Sequence, residues 1–392
     1  MSETDKDFEG LSRRGFLLRA GAGLAAASIA AQATRARAEQ TTVTLNRKSL
    51  PETEKVGWAI AGIGNFAQGP ILKNIKNCAL TRVTGLVTRD PDGKGKRVAA
   101  EYGVDEAAVV NLENMHKLAD RKDIDVVYVI TPNGLHRDYA LAALKAGKHV
   151  FCEKPFANTS AECQEMIDAA KAAGKLLGLG YRVQFDPHNI HAINAIDRGD
   201  IGKVKYIAGE FGFNLNTDHP AGAWRANKAL AGGGSLMDIG VYGVNAARFL
   251  TQEEPVAIRG HVYSTPGDPR FAEIEETAIF TFEFASGVQF QGISSYGISG
   301  GNRFRAVGDA GWLDLEPAIA YEGARMTLKT KGRPQELPGE ESNMFVAMMD
   351  DFSDAVRNNR PARSTGEDGL LDVRYMEAIY ESAKNGGCRI EL

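Results

Sequence analysis

The first half of the chain alternates between short apolar runs and segments with helical periodicity. One run, Asp125–Ile130, is apolar at nearly every position, which is typical of a parallel strand that is covered on both faces. Strands that alternate with helices in this way predict a doubly wound parallel sheet over residues 55–180. The predicted strands are Val56–Ala61, Thr81–Thr88, Asp125–Ile130, His149–Cys152 and Leu176–Gly180, and the predicted helices are Lys94–Tyr102, His136–Ala146 and Ala161–Ala173.

After Tyr181 the pattern changes to runs in which apolar and polar residues alternate, separated by glycine-rich turns. Period-two alternation is typical of a mostly antiparallel sheet with one exposed face. We therefore predict an α+β domain over residues 181–392 that contains a large, mostly antiparallel open sheet. Because an exposed sheet face is a common contact surface, we also expect a homo-oligomer, either a dimer or a tetramer. The predicted strands are Val204–Phe213, Val256–Tyr263, Thr277–Phe284, Val288–Ser295 and Phe304–Val307, and the predicted helices are Pro187–Arg198, Met344–Arg357 and Gly369–Lys384.

Composition and charge exclude several classes of protein. The length of 392 residues suits two domains, and a formal net charge of −4 leaves no basic surplus for a phosphate backbone. We therefore do not expect a nucleic-acid-binding protein. The four cysteines form no C-x-x-C pair and have no spacing typical of zinc ligands, so we expect neither a metal site nor a disulfide scaffold.

The N-terminal segment predicts export. Ser12–Leu18 has the twin-arginine pattern S-R-R-x-F-L, the apolar run Ala20–Ala33 follows, and Ala36–Ala38 has the small-x-small form of a cleavage site. A membrane anchor is the alternative, but the run is shorter than the roughly 20 residues that span a bilayer. No other apolar stretch is long enough to span, so we do not expect a membrane-embedded protein. We predict a cleaved signal over residues 1–38, the twin-arginine translocase as a partner during export, a periplasmic location, and a polar arm over residues 39–54.

A glycine-rich turn follows the first predicted strand and begins a helical segment. The first glycine of G-x-G-x-x-A makes the tight turn, the second lets the backbone approach a pyrophosphate, and the helix N-terminus supplies N–H donors. Because this match lies on the first strand of a βαβ pattern, it predicts a Rossmann dinucleotide-binding domain. The residues of the pattern are Gly62, Ile63, Gly64, Asn65, Phe66 and Ala67.

The end of the second predicted strand bears on the choice between NAD and NADP. An acidic residue there would bind the ribose 2′-hydroxyl, whereas this chain has Thr88 and Arg89, with Lys94 close behind. A hydroxyl and two cations suit a 2′-phosphate, and Arg89 can bind it through two parallel hydrogen bonds. The sequence therefore favours NADP. Two alternatives stay open: the cations belong to a solvated loop, or Asp90 faces the ribose.

Two polar clusters are candidates for catalysis. Lys154 lies between Glu153 and Pro155 directly after a strand, where a doubly wound sheet exposes its ligand crevice, and its cation can stabilise a substrate alkoxide. Asp238 and Tyr242 follow a triple glycine at i, i+4 spacing, which places them on one helix face. Together these residues form a candidate proton-relay set. The alternatives are a solvated surface lysine and a core tyrosine.

Four segments of the chain resemble the family of glucose–fructose oxidoreductases, inositol dehydrogenases and MocA proteins, over about residues 55–385. Most members of that family have histidine where this chain has Tyr242. Tyrosine there, Trp224-Arg225 and the twin-arginine pattern are similar to the glucose–fructose oxidoreductases of the family. The four segments are GIGNFA at residues 62–67, DVVYVITPNGLH at 125–136, AGKHVFCEKP at 146–155 and AGGGSLMDIGVYGVN at 231–245.

The resemblance implies roles for individual residues. Lys154 would contact the reacting hydroxyl, Tyr242 would be the general acid and base, and Asp238 would orient the sugar. The other implied substrate residues are Arg182, Trp224 and Arg225. The implied cofactor residues beyond the glycine-rich turn are Thr88, Arg89 and Lys94 at the 2′-phosphate, Thr131, Pro132, Asn133 and His136 on the nicotinamide side, and Glu153, Lys154 and Arg182. The proline-rich arm of the glucose–fructose oxidoreductases has no counterpart here, because residues 39–54 contain only Pro51.

The expected function is therefore that of a periplasmic NADP-dependent sugar oxidoreductase with tightly bound cofactor. One aldose, such as glucose, would be oxidised to its lactone, and a second sugar, such as fructose or another aldose, would be reduced to an alditol by ping-pong hydride transfer. Three alternatives remain: an NAD-dependent glycosidase with the same fold, a sugar dehydrogenase with exchanging cofactor, and a protein that binds NADP without chemistry.

Overall fold

The computed structural model describes residues 47–337 and 343–392. The predicted signal at residues 1–38 and the start of the predicted arm lie outside the described residues. Among the helices of the described ranges, none has the length and apolar character needed to cross a membrane.

The first sheet has six strands, all parallel, in the order β3-β2-β1-β4-β5-β6. This confirms the predicted doubly wound sheet. The central strand β1 is buried at all six positions, as its sequence VGWAIA requires. The strands are β1 Val56–Ala61, β2 Thr81–Val87, β3 Val109–Val110, β4 Val126–Val129, β5 His149–Glu153 and β6 Leu177–Gly180.

Helices cover both faces of this sheet, and their ends follow local sequence signals. The longest of them, α4, begins with a capping box between Thr159 and Glu162 and ends at Gly174, whose φ of 62° is left-handed. The helices are α1 Leu72–Ile75, α2 Lys96–Tyr102, α3 His136–Lys145 and α4 Ser160–Ala173, with wide π turns at Ala67–Ile71 and Pro91–Gly95 and 3₁₀ turns at Glu52–Glu54, Glu106–Ala108, Leu112–Asp120 and Asn133–Leu135.

The second sheet has nine strands in the order β14-β13-β12-β11-β7-β10-β9-β8-β15. Only β7 and β10 pair in parallel, and all other neighbours are antiparallel, which confirms the predicted mostly antiparallel sheet. The strands are β7 Val204–Asn214, β8 Pro255–Tyr263, β9 Thr277–Phe284, β10 Gln289–Ser295, β11 Gly297–Gly308, β12 Trp312–Leu315, β13 Met326–Lys329, β14 Gln335–Leu337 and β15 Ile390–Glu391.

One face of this sheet is covered by helices and the other is open. The buried side chains of β9 alternate with partly exposed ones, of which Ile279 is 42% exposed. The helices are α5 Pro187–Asp197, α6 Pro220–Ala223, α7 Lys228–Ala231, α8 Val241–Thr251, α9 Met344–Asn358 and α10 Gly366–Lys384, with a π turn at Leu236–Gly240 and 3₁₀ turns at Arg182–Phe185 and Pro269–Phe271.

Helix α9 follows every strand of the second sheet except β15 in sequence, but it packs against the first sheet. The Trp58 indole N–H donates to the Ser353 hydroxyl at 3.0 Å in a buried contact. The Asp350 carboxylate accepts from the backbone N–H groups of Ala79 at 2.7 Å and Leu80 at 2.9 Å, just before β2. The first sheet is therefore completed by a helix from the predicted second domain.

The described part of the predicted arm lies against the same helix. The Arg47 guanidinium lies 3.2 Å from the Asp354 carboxylate, and the backbone N–H of Leu50 donates to the Ala79 carbonyl at 2.9 Å. The Arg357 guanidinium on α9 donates to the Glu54 carbonyl at 2.7 Å. These contacts fix residues 47–54 to the outside of the first domain.

Candidate active site

The site lies where the carboxyl end of β5 meets the π turn that begins α8. The Lys154 ammonium donates to the backbone carbonyl of Asp238 at 2.7 Å and lies 3.3 Å from its carboxylate. The same ammonium lies 4.8 Å from the centre of the Tyr242 ring. The three residues predicted to be catalytic are therefore brought together, although 84 residues separate the lysine from the aspartate.

The Asp238 carboxylate is held by two further groups. Arg225 donates to it through Nε at 2.7 Å, and the Tyr296 hydroxyl donates to it at 2.9 Å. The Arg225 guanidinium in turn lies over the Trp224 ring at 4.7 Å, so both predicted substrate residues belong to the same cluster. Tyr296 was missed by the sequence analysis because it lies between β10 and β11 with no motif around it.

These contacts determine the charge states of Asp238 and Lys154. Burial alone would raise the pKa of Asp238, but Arg225 and Lys154 outweigh it and hold that pKa well below its usual range. Burial alone would lower the pKa of Lys154, but Tyr242, Asp238 and Glu153 outweigh it and raise that pKa. The site therefore holds a lasting lysine cation beside a lasting aspartate anion, and neither group is suited to exchange protons at neutral pH.

Arg182 supports the other side of Tyr242. Its guanidinium lies 5.4 Å from the Tyr242 ring centre and 4.6 Å from that of Tyr321, and it donates to the Ile319 carbonyl at 2.6 Å. Arg182 is buried, whereas Tyr321 is half exposed. The side chain of Arg182 thus links Tyr242 to the loop after β12. Tyr321, in that loop, is a second residue that the sequence analysis missed.

The glycine-rich turn has the form that a dinucleotide requires. Gly62 has a φ of 95°, and a Cβ added there would lie 2.6 Å from the Ile130 carbonyl oxygen. A Cβ at Gly64 would meet nothing within 4 Å, so open space lies in front of the second glycine. At the end of the neighbouring β4, the Thr131 hydroxyl is buried without a hydrogen-bond partner among the described residues. These features fit a nicotinamide dinucleotide whose pyrophosphate lies on the turn.

The two cations proposed for the 2′-phosphate lie at the carboxyl end of β2. Arg89 is exposed, Lys94 is half exposed, and Thr88 is buried beside them. Both carboxylate oxygens of Asp90 accept backbone N–H groups, from Gly93 at 3.0 Å and from Lys94 at 2.8 Å. Asp90 therefore caps the following turn.

The residues predicted on the nicotinamide side connect loops of the first domain to each other and to the segment before the catalytic turn. His136 is completely buried, and its two ring nitrogens lie 2.9 Å from the Thr131 carbonyl and 3.0 Å from the Pro155 carbonyl. Burial lowers the pKa of His136 to about 4. The Asn133 amide, next to Pro132, donates to the Ala231 carbonyl at 2.9 Å. The His136 and Asn133 side chains thus contact backbone carbonyls. Their role is to hold the loops that they connect in position.

Three more of the predicted cofactor residues lie next to the groups described above. Glu153 is buried, accepts from the Tyr128 hydroxyl at 2.5 Å, and has a pKa that burial raises. Asn65 is exposed, and its amide lies 3.5 Å from the His219 ring. Phe66 packs edge-on toward Phe345 of α9 at 6.0 Å. The glycine-rich turn is therefore in contact with segments from the second half of the chain.

Comparisons with known proteins agree with this fold. Residues 56–181 match the family described as the GFO/IDH/MocA oxidoreductase family with an NAD-binding Rossmann fold, and residues 190–314 match the GFO/IDH/MocA C-terminal domain. The chain belongs to this family, and it is an oxidoreductase with a Rossmann nucleotide-binding domain. It is 30% identical to D-xylose 1-dehydrogenase (NADP(+)) 2 of Haloferax volcanii, over 85% of this chain and 97% of that protein.

Solved structures give the same result. A crystal structure of aldose-aldose oxidoreductase from Caulobacter crescentus with glycerol superposes with a TM-score of 0.82 at 41% identity, covering 86% of this chain and all of that one. An inositol dehydrogenase homologue from Azotobacter vinelandii with NAD⁺ superposes with a TM-score of 0.77 at 21% identity, covering 89% of this chain and all of that one. The second likeness concerns the fold alone.

Proposed function

We propose that this protein is an NADP-dependent sugar oxidoreductase that oxidises an aldose to its lactone and reduces a second sugar to an alditol. The observation that carries the proposal is the Lys154 cation, held 2.7 Å from the Asp238 carbonyl and 4.8 Å from the Tyr242 ring centre. The similarity to an aldose-aldose oxidoreductase at 41% identity supports it and favours another aldose, rather than fructose, as the second sugar.

Each residue of the cluster has a chemical task in this reaction. Lys154 donates a hydrogen bond to the sugar hydroxyl and stabilises the alkoxide as the proton leaves. Tyr242 takes that proton during oxidation and returns it to the second sugar during reduction. Asp238 stays ionised, keeps Lys154 charged and binds a neighbouring sugar hydroxyl. NADP, when bound, supplies the hydride acceptor and donor.

Two observations support NADP rather than NAD. Arg89 and Lys94 make no ion pair within the described ranges and lie at the strand end where the ribose is bound in Rossmann domains. The carboxylate of Asp90, the acidic residue next to Arg89, is occupied by two backbone N–H groups. Two relatives with NADP in their names, the D-xylose 1-dehydrogenases of Haloarcula marismortui and Haloferax volcanii, agree with this choice.

The export signal supports a cofactor that stays bound. The pattern at Ser12–Leu18 is that of a route that carries folded proteins, and its destination, the periplasm, offers no replenished pool of free NADP. Retention over many turnovers needs an affinity of nanomolar or better, equivalent to about −12 kcal/mol. A cofactor held that tightly must be reoxidised while still bound, by a second substrate that accepts the hydride. This gives ping-pong kinetics.

The test is to mix the purified protein with pairs of sugars and no added cofactor. We expect equal amounts of lactone and alditol, and bound NADP in the protein as purified. Lys154→Met, prepared in the same way, should keep the NADP and form neither product. Protein that purifies without NADP and turns over only when NADP is added would contradict the closed cycle. Release of nitrophenol from a nitrophenyl glycoside would instead indicate the glycosidase.

A second candidate is a sugar dehydrogenase with exchanging NADP. The specific support is the match to two D-xylose 1-dehydrogenases over 84% and 85% of the chain. Such an enzyme would oxidise one aldose with free NADP and would need no second sugar. Dialysis of the purified protein followed by assay with and without free NADP separates the two candidates.

We also propose that the open face of the nine-stranded sheet joins copies of the chain. Large apolar side chains are exposed on it, among them Tyr206 at 47%, Ile279 at 42% and Tyr263 at 58%. Exposed apolar patches on protein surfaces mark interaction sites. Light scattering should give a dimer or tetramer for the natural chain, and Ile279→Lys should shift it toward the monomer.

A further inference from the structure

The triple glycine before Asp238 allows a side chain and a backbone segment of the second domain to approach closely. Gly232 has a φ of 79°. A Cβ on Gly233 would lie 2.1 Å from the Tyr380 hydroxyl, and a Cβ on Gly234 would lie 1.8 Å from the Glu275 carbonyl oxygen. Both distances are far too short for carbon. These glycines therefore admit Tyr380 of α10 and the segment before β9.

The Glu275 carboxylate binds the start of the catalytic turn directly. One oxygen accepts from the backbone N–H of Gly234 at 2.8 Å, and the other accepts from that of Leu236 at 3.0 Å. The Tyr380 hydroxyl donates to the second oxygen at 3.0 Å. The carboxylate thus satisfies two N–H groups that the first turn would otherwise leave without partners. Since Asp238 lies two residues after Leu236, these bonds fix the backbone that carries it.

The opposite side of the same loop is held by the first domain. The Asn133 amide donates to the Ala231 carbonyl at 2.9 Å, and the Asn158 amide donates to the Ala229 carbonyl at 3.0 Å. The loop before the catalytic turn is therefore held from two sides, by amides of the Rossmann domain and by Glu275. Of these groups, Glu275 is the one bonded to the turn that contains Asp238.

We propose that Glu275 is a positioning residue for catalysis, which rests on the proposed function. It sets the position of the Asp238 carbonyl, and through that carbonyl the position of the Lys154 ammonium. Its effect reaches the substrate through these two residues, since Glu275 itself touches neither. A shift of about 1 Å at such a distance from the chemistry costs about a hundredfold in rate.

The test compares Glu275→Gln with a harsher change next to it. An amide accepts through only one atom, so Glu275→Gln loses the bond from either Gly234 or Leu236 while keeping the volume. The control is Glu276→Ala, which removes a carboxylate that accepts from the Thr265 N–H at 2.8 Å and hydroxyl at 2.6 Å, away from the catalytic turn. Rates are measured with whichever aldose the natural protein oxidises.

We expect Glu275→Gln to lower kcat about ten- to a hundredfold with KM for the sugar changed less than threefold. Glu276→Ala should lower the melting temperature at least as much and leave kcat within twofold. Tyr380→Phe should cause an intermediate loss, and the loss should not add to that of Glu275→Gln because both act on one carboxylate. Equal kcat losses in Glu275→Gln and Glu276→Ala would overturn the proposal.

A crystal structure of Glu275→Gln gives a result that needs no turnover. We expect the contact between the Lys154 ammonium and the Asp238 carbonyl to lengthen beyond about 3.2 Å, the usual limit of an N–H···O bond. An unchanged contact would overturn the positioning role. An inactive natural protein would count against the proposed function, whereas this structural readout would still decide on Glu275.

Discussion

Lys154 binds the backbone of Asp238 more closely than its side chain, at 2.7 Å to the carbonyl and 3.3 Å to the carboxylate. The position of the lysine is therefore set by the path of the turn, and the carboxylate is one of the groups that stabilise its charge. Substitution of Asp238 should separate these two contributions.

We expect Asp238→Asn to keep the lysine in place and to lower kcat/KM about ten- to a hundredfold, because an ionic partner is lost. The raised pKa of Lys154 depends in part on Asp238, so the variant should lose the cation at lower pH. The alkaline limb of the pH–rate profile should accordingly move to lower pH. Asp314→Asn, on the open face of the second sheet, is the control, and an equal shift there would contradict the explanation.

Removal of the Tyr242 hydroxyl should separate chemistry from binding. Tyr242→Phe keeps the ring that Lys154 and Arg182 contact, so sugar binding and retained NADP should change little. General acid–base groups contribute about 10²- to 10⁴-fold, and kcat should fall by that factor. Tyr206→Phe, on the open sheet face, keeps the exposed ring and should leave kcat unchanged. Single-turnover absorbance of the nicotinamide measures both variants, and a kcat near that of the natural protein would exclude Tyr242 as the acid and base.

Cofactor preference should depend on the end of β2. Arg89→Ala removes a charge-assisted bond to a 2′-phosphate, worth about 1.5–3 kcal/mol, so NADP affinity should fall about tenfold to a hundredfold. NAD affinity should stay the same, because NAD lacks that phosphate. Titration of cofactor-free protein with each dinucleotide measures the ratio. Lys117→Ala, an exposed lysine of the same domain, is the control. A parallel loss of both affinities would show that Arg89 serves the fold instead.

Stability should fall in mild acid through two histidines. Burial is the first cause that lowers the pKa of His136 and of His149 from 6.5 to about 4. The unfolded chain takes up these protons first, so the stability is complete above pH 6.5 and is lost as the pH falls toward 4. For the fully buried His136 the loss is about 3 kcal/mol. Urea unfolding at several pH values measures it.

A variant at His149 tests this assignment. The His149 ring accepts from the Leu176 backbone N–H through Nδ1 at 2.9 Å, a bond that only the neutral ring can make. Asparagine places an oxygen near the same position, so His149→Asn should flatten the acid dependence. The exposed His116→Asn should leave the dependence unchanged. A profile that His149→Asn does not alter would place the acid sensitivity elsewhere.

The sequence predicted the local elements well because their signals are local. The continuous apolar strand at Asp125–Ile130 appears as Val126–Val129, and the alternating run at Thr277–Phe284 has the same bounds in the structure. The π turn at Leu236–Gly240 was not predicted, since nothing in hydrophobic periodicity distinguishes a wide turn from an α-helix. Asp238 and Tyr242, which are spaced i, i+4, nevertheless lie at one site in the structure.

Supporting residues were missed because they come from distant parts of the chain. Tyr296 reaches Asp238 across 58 residues, and Glu275 reaches Gly234 across 41. A tyrosine between two strands and a glutamate before a strand are ordinary in isolation. Only the pairing of the sheet with α8 shows that these side chains meet the catalytic turn.

The packing of α9 against the first sheet limits when the first domain can fold during synthesis. The ribosome makes α9 only after the whole nine-stranded sheet, apart from β15, yet Asp350 and Ser353 on this helix complete the surroundings of β1 and β2. The nucleotide-binding half therefore cannot finish folding as an early, independent unit on the ribosome. Loading with a dinucleotide must wait for a nearly complete polypeptide, so truncation before Met344 should remove cofactor binding along with stability.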